Sequence, residues 1–168
     1  MPAHCVVEGT INPRTGVGGQ PFGIGFEPRL PEAWNGRLPF QGGGLDGVLN
    51  GAVGAVPLSG ATAPLALNRG RAVVSTDSGH RGISNAPCGL DQQARLDFAY
   101  AAIGEVSREA RVLVAARYGR DAARAYYMGC SNGGRTAMMA AQRFPTPFDG
   151  VLAGNPGFRL SRAAVAQA

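Results

Sequence analysis

The chain has 168 residues, of which 45% are apolar and only 16% charged; that balance suits one folded domain with a real core and argues against a disordered chain. The formal net charge is +5, and all 16 basic residues are arginines spread from Arg14 to Arg162. With no dense basic run, nucleic acid is not an expected partner.

The elements alternate strand and helix, the pattern of a mostly parallel α/β sheet. Met1 to Cys5 leads into strand-like sequence with no apolar leader, so no signal peptide is expected here. Cys5–Ile11 and Phe22–Leu30 read as early strands, and Pro31 to Gly36 as a turn. Arg37–Gln41 reads as a short strand running into Gly42-Gly43-Gly44. Gly47 to Asn68 carries no charge, but Pro57, Pro64 and four glycines interrupt it. It reads as loop-rich rather than as a membrane span, and no membrane partner is expected. Arg71–Thr76 reads as a buried strand ending at Asp77.

A long helix is expected from about Asp91 to Tyr118. Leu96, Ala99, Ile103, Val106, Ala110 and Leu113 recur at spacings of three and four, which places them on one face. Asp91 suits the N-cap and Gly119 the C-terminal stop. A strand at Ala125–Met128, a helix from Gly133 to Phe144 and a last strand at Asp149–Gly154 follow. The tail Leu160–Ala168 is short and rich in small residues.

Gly129-Cys130-Ser131-Asn132-Gly133 fits G-x-S-x-G between an expected strand and an expected helix. That is the setting of a nucleophile elbow, where a strained turn lifts a serine hydroxyl above the sheet. Ser131 is therefore the candidate catalytic nucleophile. The N–H of Asn132 is one candidate donor to a developing oxyanion, and Gly43 or Gly44 in the upstream glycine loop supplies the second. Gly134 adds room for helix–strand contact. Gly42, Gly44 and Gly47 also match G-x-G-x-x-G, but Pro57, Gly60 and Pro64 break any following helix and no acid lies between Asp46 and Asp77. A nicotinamide site is not expected, and no cofactor is assigned.

These residues resemble the tannase and feruloyl esterase family. The matching stretches are Trp34-Asn35-Gly36-Arg37, Gln41 to Gly44, Val74 to His80, Gly129 to Arg135, Ala141 to Pro145 and Phe148 to Val151. The resemblance implies an α/β-hydrolase fold and hydrolysis of aromatic carboxylic esters, galloyl and feruloyl esters among them, through a serine acyl-enzyme. It also implies an exported protein, a lid domain after the sixth strand that often binds calcium, and a disulfide from Cys130 to a cysteine beside the catalytic histidine. That partner is not found, so Cys130 is expected unpaired; Cys5 and Cys88 either pair or stay reduced.

The departure from the family pattern is large. The only histidines are His4 and His80, both before Ser131, whereas the expected order is Ser, acid, His. Asp149 is the only carboxylate after Ser131 and reads as structural. His80 falls in the family's Asp-Ser-Gly-His stretch and is expected to be structural too. Residues 1–168 are thus expected to form the N-terminal part of an α/β-hydrolase domain without lid, acid or histidine. The alternative is a non-catalytic remnant. Either way, an unpaired last strand predicts self-association.

Overall fold

The computed structural model describes residues 1–43, 49, 66–82 and 86–159. Gly44, nearly all of the uncharged Gly47–Asn68 stretch and the Leu160–Ala168 tail lie outside the described residues.

Among the described residues seven strands form one sheet: β1 (His4–Val6), β2 (Gly9–Thr15), β3 (Pro21–Pro31), β4 (Arg37–Gln41), β5 (Val73–Thr76), β6 (Arg124–Cys130) and β7 (Gly150–Gly154). The order is β1-β3-β5-β4-β6-β7, with β2 also pairing β3. β1, β2 and β5 run antiparallel to β3, while β5, β4, β6 and β7 are mutually parallel. The expected strand at Cys5–Ile11 is two strands in one register: Val6 faces Arg29, and Gly9 faces Phe26. The register shifts only between Ile11 and Arg14, where Asn12 has φ 50° and Pro13 has no N–H to give the ladder.

After a separate short helix, α1 (Ala86–Leu90), the long helix is built from α2 (Gln92–Leu96), a π turn at Asp97–Ala101 and α3 (Ala102–Tyr118). Asp91 caps α2 by accepting from the Ala94 amide at 2.8 Å. Gly119 ends α3 in the left-handed region at φ 68°, its amide on the Ala115 carbonyl. The buried face differs from the expected stripe. It runs Ala94, Asp97, Ala102, Ile103, Val106, Ser107, Ala110 and Val114, leaving Leu96, Ala99 and Leu113 half-buried. The five-residue step from Asp97 to Ala102 is the π turn itself, which rotates the helix past a strict 3.6 repeat.

α3 and α4 (Asn132–Arg143) cover one face of the sheet. Ile24, Phe26, Leu38, Phe40, Val74 and Tyr127 of the strands meet Ile103, Val106, Val114, Ala137 and Ala140 of the helices there. Phe148 stands edge-on to both Phe40 and Tyr127. Burying that apolar surface is the main favourable term for the fold. On the other face, Tyr126, Met128 and Cys130 of β6 are half-buried, and Leu152 of β7 is 63% exposed. No described helix is long and apolar enough to cross a membrane.

Candidate active site

Ser131 follows β6 directly and precedes α4, so it occupies a tight strand-to-helix turn. Its backbone stands at φ 59°, ψ −119°, a region that L-residues rarely enter. The surroundings hold it there from both sides. Its amide donates to the Gly154 carbonyl at 3.1 Å, and its carbonyl accepts from the Arg135 and Gly157 amides at 3.0 and 3.1 Å. The side chain is exposed at the C-terminal end of the parallel strands, where open α/β sheets place their ligands.

Strain of this kind costs of order 1–3 kcal/mol, and glycine, free of Cβ, avoids it at an entropic cost of roughly 0.5–1 kcal/mol. Ser131→Gly should therefore stabilise the fold by about 1 kcal/mol, raising the melting midpoint by roughly 2–4 °C. Ser131→Ala, which keeps the Cβ, should not. Calorimetry checks this; a lower midpoint for Ser131→Gly would mean that the turn is unstrained.

The glycines around Ser131 are dictated by space. A Cβ on Gly133 would stand 2.5 Å from the Gly42 carbonyl oxygen, and one on Gly129 would collide with the Gly133 backbone. A Cβ on Gly134 would meet the Gly154 carbonyl and, at 2.9 Å, Pro156. The loop after β4 thus lies directly against the first turn of α4. The Gly42 amide donates to the Met128 carbonyl at 2.7 Å, and the Asn132 side-chain amide donates to the Gly43 carbonyl at 3.3 Å. Gly43 therefore sits beside the serine turn, while Gly44 lies outside the described residues. Asn132 is 5% exposed, and its side-chain oxygen accepts from Arg135 Nε at 2.8 Å.

The remaining candidates are placed away from this turn or against other partners. His4 is on β1, at the far edge of the sheet from β6, with Nδ1 2.8 Å from the Pro2 carbonyl. His80 stacks edge-on to Phe98 at 4.9 Å, and among the described residues no hydrogen bond joins a histidine to Ser131. Asp149 lies at the opposite end of β6 from Ser131, roughly 20 Å away at the rise of a strand. Its carboxylate accepts from the Ala125 amide and from Arg124, both at 2.8 Å. The Ala125 amide and then Arg124 hold that carboxyl below its ordinary range, so it is a fixed anchor between β6 and β7. Cys130 is a half-buried thiol in no disulfide.

Two buried carboxyls nearby behave differently. Asp77 accepts from the Gly25 and Gly79 amides at 2.9 and 2.8 Å, yet burial pushes its pKa up. Asp97, in the π turn, is likewise pushed up by burial despite accepting from Gln93. Asp77 ties the loop after β5 to β3, and Asp97 ties the π turn to α2. Among the described residues no three His, Cys, Asp or Glu side chains converge to hold a metal ion.

A mixed sheet in this strand order, with a strained serine between a central parallel strand and its helix, defines the chain as an α/β-hydrolase. Residues 5–168 match the family described as tannase and feruloyl esterase, and the chain belongs to that family. It is 42% identical over 177 residues to the mono(2-hydroxyethyl) terephthalate hydrolase of Piscinibacter sakaiensis, covering 100% of this chain and 29% of that protein. It is 35% identical to a probable feruloyl esterase B-2 of Aspergillus flavus, over 76% of this chain and 23% of the relative. The crystal structure of feruloyl esterase B from Aspergillus oryzae superposes with a TM-score of 0.76 at 30% identity, over 92% of this chain and 28% of that one. The chain thus spans less than a third of the length of these relatives.

Proposed function

We propose that this chain carries the nucleophile and oxyanion site of a carboxylic ester hydrolase acting on esters of aromatic acids. The observation that supports it is Ser131 itself: an exposed hydroxyl on a strained turn that many contacts hold in place. In this reading Ser131 attacks the ester carbonyl to form an acyl-enzyme, which water then hydrolyses. The charge on the carbonyl oxygen is met by backbone amides, that of Asn132 in the first turn of α4 and one from Gly43 or Gly44. The helix dipole favours negative charge at a first helical turn. The aromatic ester class comes from what the relatives are named for.

A second reading, a folded chain without chemistry, is favoured by one observation: His4 lies at the far edge of the sheet, and among the described residues no hydrogen bond joins a histidine to Ser131. Acyl trapping separates the two. A 4-nitrophenyl ester of ferulic or gallic acid needs no protonation of its leaving group, and without a base deacylation is slow. The first reading expects one acyl group on Ser131 in the intact mass, absent in Ser131→Ala. No acyl group, or one that survives the substitution, would favour the second.

A further inference from the structure

We propose that Arg135, with the π turn that receives it, is a positioning residue for the oxyanion loop. The inference rests on the reading of Ser131 as nucleophile and asks what holds the partner loop in register with it.

Arg135 lies one turn into α4 and is half-buried, with no carboxylate paired to it among the described residues. Its guanidinium is held by neutral groups only. Nη2 donates to the Phe98 carbonyl at 3.0 Å and Nη1 to the Ala99 carbonyl at 3.2 Å, while the plane lies over the Phe98 ring at 4.4 Å. Its third contact, Nε, donates to the Asn132 side-chain oxygen at 2.8 Å. Asn132 then uses its side-chain amide on the Gly43 carbonyl.

The π turn makes this geometry available. In an α-helix the Ala102 amide would bond the Phe98 carbonyl; here it reaches back to Asp97, which releases the Phe98 carbonyl to face Arg135. A planar fork of donors on two fixed carbonyls and one side chain gives a directed link that a lysine, a point charge on a flexible stem, does not reproduce. The result is a continuous chain of contacts from the π turn through Arg135 and Asn132 to Gly43. It fixes the orientation of the Asn132 side chain, and through it the glycine loop, relative to Ser131. Phe98, between the guanidinium and the edge of His80, keeps the fork from rotating.

The test compares wild type, Arg135→Ala, Arg135→Lys, Asn132→Ala, the Arg135→Ala/Asn132→Ala double variant and Val106→Ala, a destabilised core control remote from the link. Two readouts are the rate at which a fluorophosphonate labels Ser131 and the exchange protection of the Gly42 amide. Misplacing a reacting geometry by about 1 Å costs on the order of 100-fold, so Arg135→Ala should slow labelling by at least about 10-fold. Arg135→Lys should remain slow, Val106→Ala should stay near wild type, and the double variant should be no slower than the slower single, because the two residues act in series. Gly42 protection should fall in Arg135→Ala and hold in Val106→Ala. Wild-type labelling in Arg135→Ala or Arg135→Lys, or full additivity in the double, would overturn the proposal. If Ser131 labels in no variant, the nucleophile reading falls, and Gly42 protection alone decides the link: lowered supports it, unchanged overturns it.

Discussion

The 168-residue chain should hydrolyse methyl gallate and methyl ferulate about a million-fold more slowly than a complete enzyme of the family. A serine hydroxyl is a weak nucleophile until a base takes its proton. Its two histidines both precede Ser131; His4 is at the far edge of the sheet and His80 stands edge-on to Phe98. Where the triad members act as a unit, losing the base removes on the order of 10⁶ in kcat, and oxyanion donors and binding leave roughly 10³–10⁴ over water. The measurement is release of gallate or ferulate from the purified chain against Ser131→Ala. Turnover near that of a full-length relative, lost in Ser131→Ala, would mean that a base lies within these residues after all; His80→Ala would then show whether it is His80.

The same chain should self-associate through β7. Among the described residues β7 pairs only with β6, so one edge of backbone N–H and C=O groups is open to another strand. The side chains around it are apolar and uncovered: Leu152 is 63% exposed and Val151 37%, beside half-buried Met128 and Tyr126. An apolar patch joined to an unpaired edge is a template for a second copy. Sedimentation velocity should show a species of at least twice the monomer mass, shifted toward monomer by Leu152→Lys, since a charge on an edge opposes pairing. A monodisperse wild-type monomer with a sharp melt would contradict this.

The parts of the fold that local chemistry writes were legible from residues alone. Arg37–Gln41 matches β4 at both ends, Asp91 and Gly119 cap where their chemistry suits them, and Gly129 to Gly133 places the serine turn. Gly129, Gly133 and Gly134 were legible because each marks a contact too close for a Cβ. The π turn was not, because periodicity reasoning assumes 3.6 residues per turn and one extra residue leaves no compositional mark. It therefore moved the buried positions at and before the turn from the expected Leu96 and Ala99 to Ala94 and Asp97. The Arg135–Asn132–Gly43 link was also invisible. Asn132 and Gly43 stand 89 residues apart, and a hydrogen bond between a side chain and a distant carbonyl has no sequence period. The signal that was present is Arg135 itself, an arginine inside a helix whose neighbouring positions are small and buried.

The most direct measurement of the central claim is where a serine-directed fluorophosphonate attaches. After reaction with the folded chain and with Ser131→Ala, digestion and mass spectrometry would locate every adduct. Amides gathered at an oxyanion site stabilise the charged state of phosphonylation even without a histidine. The account predicts one adduct, on Ser131, forming at least about tenfold faster than on any other serine and missing from Ser131→Ala. Adducts spread over Ser78, Ser107 and other serines at similar rates, or a pattern unchanged by the substitution, would contradict it.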